Sequence, residues 1–228
     1  MAENEQERQK ISQWYNARMR EGGEHSWRPV QAYGRFLDYL GVRAGDNAGK
    51  GKLVLDVGCG TGYFLRNARD RGLETFGVDV SEEAVKITKE VVGIETARVC
   101  PGEHICFEDR KFDYVTCLGV LEHFLDIDQG IREMVRVAKD DATLCIMVPN
   151  EDFLLWKFTG KPGTAQQDIN EQLFSAAEWR NKFSRAGLRI VAEHKDTWFG
   201  RKSPLHWLAF HLTPFRYTYQ MIFVMKKS

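Results

Sequence analysis

The sequence is missing most of what would mark a secreted, metal-stapled or membrane-embedded chain. Its five cysteines, at 59, 100, 106, 117 and 145, are odd in number and form no CxxC. That removes the spacing of a zinc site and favours reduced thiols in a cytoplasmic protein. The histidines are scattered with no HxH or HExxH, so no metal ion is expected. The opening MAENEQERQK has neither the basic start nor the apolar core of a signal peptide. No apolar run approaches the ~18 residues of a membrane span. Lys+Arg and Asp+Glu are both 32. With no excess of either sign there is no global field to draw in nucleic acid or an anionic membrane. Internal repeats and low-complexity tracts are absent too.

What remains is an ordinary globular composition in a chain long enough to bury its own core. Residues 1–50 read as a polar helical segment anchored by Trp14, Tyr15, Trp27, Tyr33, Phe36, Leu37 and Leu40. Phe36, Leu37 and Leu40 share one helix face. From 51 to 228 the texture changes to alternating strands and helices. Strands are expected at Leu53–Val57, Thr75–Val80, Thr96–Val99, Phe112–Leu118, Leu144–Val148, Leu188–Glu193 and Tyr217–Met225. Helices are expected at Tyr63–Arg71, from Ser81 to about Val92, at Ile131–Ala138 and at Ser175–Ala186. Strands that are apolar throughout suggest a parallel sheet covered on both faces. The last two strands have no ordinary helix between them, which fits an antiparallel final strand.

The chemistry concentrates in VLDVGCGTG, Val54 to Gly62. Gly58, Gly60 and Gly62 follow a strand and open a helix, where backbone N–H groups and close approach favour a ligand. Asp79 ends the second strand, placed to accept hydrogen bonds from both hydroxyls of a ribose. The spacing is GxGxG, and the third position of GxGxxG is Tyr63. Asp56 would repel a pyrophosphate but would help a ligand carrying an ammonium and a sulfonium. These residues favour S-adenosylmethionine over NAD. Taken alone, the glycine run has a tight chain reversal as its lesser reading, which the placement of Asp79 weakens further.

VLDVGCGTG, FGVDVS (Phe76 to Ser81) and FDYVTCLGVLEHF (Phe112 to Phe124) together resemble the successive motifs of class I S-adenosylmethionine-dependent methyltransferases. The resemblance runs from about Leu53 to Phe223. It implies a doubly wound, Rossmann-like α/β fold: a seven-stranded, mostly parallel sheet with an antiparallel last strand and helices on both faces. It implies Asp56, Gly58, Cys59, Gly60 and Gly62 around the methionine part of the cofactor, Asp79 on the ribose and Val80 against the adenine. The segment CPGEHICF, Cys100 to Phe107, departs from the usual pattern, because Pro101 stands where an Asp often holds the adenine amino group. Gly102 and Glu103 are the candidates there, with His104 beside them, and Leu118 closes the set.

Methyl transfer needs a base only if the acceptor must lose a proton. Glu122 and His123, after the fourth strand, are the catalytic candidates by resemblance to O-methyltransferases of quinone biosynthesis. His123 as base and the two together on an ion are both open, as is a purely structural role in which His123 caps the loop. Glu151 and Asp152 stand at the edge of the fifth strand, as acceptor contacts or as a solvated turn. Residues 1–50 are expected to form a lid, with Trp14, Tyr15, Trp27 and Arg28 shaping the acceptor pocket. The aromatic-rich stretch Trp198 to Tyr219 would line that pocket, touch a lipid-linked acceptor at a membrane surface, or pack on the sheet edge. The stretch Asn170 to Leu188 resembles small-molecule enzymes, so the expected partner is a small acceptor: quinone-like, glycosyl or lipid-linked. Nucleic acid and membrane insertion are not expected. The alternatives are a nucleotide- or NAD-binding oxidoreductase and a module that binds S-adenosylmethionine without turnover. Nothing in the sequence speaks to oligomeric state.

Overall fold

The structure is a computed structural model that describes residues 2–22, 28–159, 163, 169–196, 208 and 211–228. Seven strands form one sheet in the order β3-β2-β1-β4-β5-β7-β6. They are β1 (Leu53–Val57), β2 (Glu74–Asp79), β3 (Ala97–Val99), β4 (Phe112–Leu118), β5 (Ala138–Pro149), β6 (Leu188–Lys195) and β7 (Gln220–Lys227). Pairings from β3 through β5 are parallel, and β7 runs antiparallel to both β5 and β6. The expected fold class and reversed last strand are both observed.

The helices are α1 (Ala2–Gly22), α2 (Gly34–Tyr39), α3 (Tyr63–Asp70), α4 (Glu82–Glu90), α5 (Ile127–Val137), α6 (Leu154–Thr159) and α7 (Ala176–Arg185). Their starts follow from local chemistry. Ser81 Oγ accepts from Ala84 N at 3.1 Å, and Asp126 Oδ1 accepts from Gln129 N at 2.8 Å. Ser175 and Glu178 close a reciprocal capping box at α7. The Ile127, Ile131 and Met134 face of α5 is buried, as are Phe64, Leu65 and Ala68 of α3. Two apolar clusters result. One holds β4, β5, α5 and α7 together, and the other packs α2 and α3 under the sheet with Phe36 and Leu37 fully buried.

Several element boundaries differ from expectation, among them the start of α5, at Ile127 rather than Ile131. The fifth strand begins at Ala138 rather than Leu144, taking in polar Lys139–Asp141. A register irregularity between Phe112 and Tyr114 lets β4 and β5 pair across that polar start. The last strand begins at Gln220 rather than Tyr217, because Phe215–Tyr217 form a 3-10 turn. Buried Asn150 holds that turn, donating through Nδ2 to the carbonyls of Arg216 (2.7 Å) and Thr218 (2.9 Å).

The strand order reverses at β1, whose neighbours are β2 and β4. Crevices open outside the carboxyl ends of strands at such a switch point. Gly58, Cys59, Gly60 and Thr61 of the glycine loop lie there.

Candidate cofactor site

A cavity of about 450 Å³ sits at that switch point. Its floor is the loop after β1. The N–H groups of Gly58 and Cys59 both donate to Val78 O, at 2.8 and 3.0 Å, which stitches the loop to the end of β2. Gly58 has φ +75°, and a Cβ there would stand 2.5 Å from the side chain of Val120. Only glycine fits between the loop and the β4 wall. At Gly60 a Cβ would meet nothing within 4 Å, so the chain faces open room on the cavity side.

Asp79 is fixed from two sides. Oδ2 accepts from Gly60 N at 2.8 Å and Oδ1 accepts from Ser81 N at 2.9 Å. Each oxygen keeps a further lone pair for a ligand hydroxyl. Asp56 is 4% exposed and accepts from Thr116 Oγ1 at 2.7 Å. Burial pushes its carboxyl up to about 8, with Thr116 opposing and the charge of Asp79 adding. Burial also raises Asp79, against the backbone N–H groups that hold it. Neither carboxylate has a Lys or Arg partner among the described residues. A buried and a half-buried acid, neither paired with a Lys or Arg, favour a ligand that brings its own positive charge. S-adenosylmethionine, with its ribose hydroxyls, ammonium and sulfonium, fits this donor set.

The far wall comes from the loop after β3. Gly102 lies under the Phe124 ring, which a Cβ would approach to 2.1 Å. Glu103 is buried and its Oε1 accepts from Leu125 N at 3.0 Å, tying the two walls together. Val80, Leu118 and Cys59 also line the cavity. The Cys59 sulfur turns away to Gly77, where a Cβ would stand 2.8 Å from it.

Helix α1 lies across the opening. Ile11, Tyr15 and Met19, four residues apart, face the cavity together with Arg8 and Arg18. Ser12 Oγ donates to Val80 O at 2.8 Å, and Asn16 Oδ1 accepts from Ser81 Oγ at 2.7 Å. His123 also lines the cavity. Its ring is 6.5 Å from that of Tyr15, edge to face. Nδ1 lies 3.2 Å from the carbonyl of Ile169. A carbonyl only accepts, so this contact puts the proton on Nδ1.

The cavity thus gathers Asp56, Gly58, Cys59, Gly60, Asp79, Val80, Gly102, Glu103, Leu118 and His123. Gly62, Glu122 and His104 do not line it. Gly62 heads α3 beneath Thr88, Glu122 is buried behind the wall, and His104 is exposed. Arg28, expected at the acceptor pocket, is instead in a bidentate pair with Asp196, at 2.9 and 2.7 Å. It is 7% exposed and also donates to Gln220 Oε1. A buried guanidinium must spend its donors this way. Glu151 and Asp152 form a turn off the cavity, where Asn150 Oδ1 accepts from Asp152 N. Trp27, Trp198, Phe199, His206, Trp207 and Phe210 lie outside the described residues. The reasoning from sequence missed Thr116, Ser12, Asn16, Ile11 and Met19. Only the four-residue spacing of Ile11, Tyr15 and Met19 was there to be read.

A family model described as a methyltransferase domain matches residues 26–193. Over 138 residues the chain is 30% identical to an uncharacterized methyltransferase, YcgJ, of Bacillus subtilis, covering 58% of this chain and 54% of that protein. Over 144 residues it is 31% identical to a ubiquinone biosynthesis O-methyltransferase of Hahella chejuensis, covering 61% and 57%. The chain therefore spans about half the length of these curated relatives. Among solved structures, the geranyl diphosphate C-methyltransferase of Streptomyces coelicolor superimposes with a TM-score of 0.71 at 12% identity, covering 97% of this chain and 98% of that one. That protein was solved with Mg2+, geranyl diphosphate and S-adenosyl-L-homocysteine. At this identity the likeness is one of fold.

Proposed function

The chain belongs to the methyltransferase family, whose cofactor is S-adenosylmethionine, and we propose that it transfers the methyl group of that cofactor to a small-molecule acceptor. The observation that carries the reading is the pair of carboxylates without a Lys or Arg partner, buried Asp56 and half-buried Asp79, beside the glycine loop. When bound, S-adenosylmethionine supplies a methyl group already activated on a sulfonium, so the protein's task is alignment and proton handling. Asp79 would hold the ribose hydroxyls, while Asp56 and the Gly58–Gly60 backbone would hold the methionine end. Val80, Gly102 and Glu103 would flank the adenine. Gly62 would act through the start of α3. Helix α1 would serve as a lid over residues that belong to the 51–228 domain.

His123 marks the acceptor end. With its proton on Nδ1, the Nε2 side of the ring is the basic side. It would take the proton of a hydroxyl or amino group as the methyl bond forms. Relatives named as ubiquinone biosynthesis O-methyltransferases support a quinone-like, phenolic acceptor over a glycosyl one. No helix among the described residues is long and apolar enough to cross a membrane. Four buried free thiols, Cys59, Cys100, Cys117 and Cys145, suit a reducing cytoplasm.

Labelled methyl groups test the reading. Purified protein is incubated with methyl-labelled S-adenosylmethionine and a panel of phenols, sugars and polyprenylated phenols. Transfer to a phenol, slowed about 100-fold or more in His123→Ala with cofactor affinity intact, is the expected result. Full turnover by His123→Ala would remove His123 as base. Cofactor binding with no transfer to any class would favour a binding module.

A further inference from the structure

The loop after β3 carries two thiols that the proposed function leaves without a task. Cys100 and Cys106 are five residues apart in CPGEHIC, the segment that departs from the family pattern. Cys100 is buried and Cys106 is exposed. The loop folds around the Cys100 sulfur. That Sγ donates to the carbonyl of His104 at 3.2 Å and accepts from Cys106 N at 2.9 Å. The two thiols are themselves in hydrogen-bond contact, and burial, with the Cys106 thiol adding, pushes Cys100 up to about 12. The far end of the loop is pinned from outside. Ile105 N donates to Glu133 Oε2 at 2.8 Å, and Arg98 donates to the Cys106 carbonyl at 3.1 Å. The pair of sulfurs therefore meets on a fixed frame.

The same loop is a wall of the cofactor cavity, which Cys100, Pro101, Gly102 and Glu103 line. Cys100 N donates to the carbonyl of Asp79 at 2.9 Å, so the buried thiol stands beside the ribose carboxylate's own backbone. The wall has little slack. Gly102 is pressed under the Phe124 ring, and Glu103 is bonded to Leu125 N. A disulfide has a specific geometry, closer than two thiols in contact. Closing one here removes the proton that Cys100 gives to His104 and draws the two ends of the loop together. The resulting shift falls on Pro101, Gly102 and Glu103.

We propose that Cys100 and Cys106 are a redox modification site, closed to an internal disulfide by a low-molecular-weight disulfide and coupled to cofactor affinity. The exposed Cys106 attacks first, as its thiolate, on one sulfur of the reagent RSSR. A mixed disulfide forms, and RS− leaves and takes up the Cys106 proton as RSH. The Cys100 sulfur then attacks the Cys106 sulfur, forms the internal S–S bond and expels the second RS−, which leaves as RSH with the Cys100 proton. The two thiols are oxidised, RSSR is reduced by two electrons, and excess RSH reverses both steps. With five residues between the cysteines, the second step closes a short loop at small entropic cost. A reversible bond of this kind suits a compartment in which standing disulfides are rare. The coupling to affinity rests on the cofactor reading above, whereas the modification site does not.

The test equilibrates the full chain with oxidised and reduced glutathione at a series of ratios, traps free thiols by alkylation and maps the products by mass spectrometry. Cys100 and Cys106 are expected to lose alkylation together and to appear as one disulfide-linked pair, while Cys59, Cys117 and Cys145 stay reduced. By calorimetry, the disulfide form is expected to bind S-adenosylhomocysteine about 10-fold more weakly than the reduced form, with affinity restored by reductant. Cys106→Ser is expected to keep the reduced-form affinity at every ratio. A glutathione adduct that stays on Cys106 without closing, two thiols that remain alkylatable throughout, or a closed disulfide with unchanged affinity overturns the inference and leaves the cofactor reading standing. Reduced protein that binds no S-adenosylhomocysteine overturns the cofactor reading and the coupling with it, and the disulfide map then decides the modification site alone.

Discussion

The two ends of the cavity are built in different ways. At the cofactor end, backbone does most of the holding. Gly58, Cys59 and Gly60 give their N–H groups to Val78 and Asp79, and Ser81 N completes the clamp. At the end proposed for the acceptor, side chains from distant parts of the chain meet: Tyr15 from α1 and His123 after β4, with buried Glu122 behind the wall. A backbone site is set by a few adjacent residues and suits a cofactor that does not vary. A side-chain site can be retuned one residue at a time, which suits an acceptor that does.

The sharpest way to break this comparison is through the brace behind the acceptor end. Arg28, Asp196 and Gln220 tie the N-terminal segment to the ends of β6 and β7. Arg28→Ala removes the bidentate partner of buried Asp196, leaving it the longer 3.8 Å contact to Arg35, and is expected to cost about 3 kcal/mol in denaturant unfolding. The combined Arg28→Met and Asp196→Leu variant is expected to recover most of that loss. A single variant with wild-type stability would show that the pair braces nothing.

Two glycines with the same φ of +75° compare the ends directly. Gly58→Ala adds a Cβ 2.5 Å from Val120, whereas at Gly119 the nearest neighbour is Met147 Cε at 3.3 Å. Both pay for the left-handed backbone, but only Gly58 must also displace packed side chain. Gly58→Ala is expected to cost about 2–4 kcal/mol and Gly119→Ala about 1–2 kcal/mol, read from thermal unfolding. Equal losses would mean that close packing against β4 does not define the cofactor end.

Protonation sharpens the contrast further. Glu122 stands near 8 in the folded protein against an ordinary 4.5. The folded state therefore holds this proton more tightly than the unfolded chain does. The stability it confers is full below about 4.5 and is lost as pH rises toward about 8. Glu122→Gln has no such proton to lose. Its stability relative to wild type is expected to rise between about pH 5 and about pH 8 and then level off. A constant difference across that range would mean that Glu122 is ordinary in the fold.

The smallest effect belongs to the lid. Ser12→Ala removes the bond from α1 to Val80 O and is expected to weaken cofactor binding by about 1 kcal/mol, a few-fold in affinity. No change would mean that α1 is held by its apolar stripe alone.

The same contrast explains what could be read from the sequence. Val54 to Gly62 and Asp79 form one strand–turn–helix–strand unit, so spacing alone placed the cofactor residues on one crevice. The parallel strands were legible as continuous apolar runs, and the reversed β7 as a strand with no crossover helix before it. Arg28 was not legible, because its partner Asp196 is 168 residues away and pairing at that distance leaves no local pattern. Thr116 under Asp56 was hidden for the same reason, its partner lying 60 residues away. The docked face of α1 carries only Ile11, Tyr15 and Met19 in an otherwise polar helix, too faint a stripe to show where it lies.

The most direct measurement is calorimetric titration of the protein with S-adenosylmethionine, S-adenosylhomocysteine and NADH, beside an Asp79→Ala variant. The arrangement of Asp79 between Gly60 N and Ser81 N predicts saturable binding of the first two, weakened about 100-fold or more in the variant, and no binding of NADH. Binding of NADH alone, or S-adenosylmethionine affinity untouched by Asp79→Ala, would contradict it.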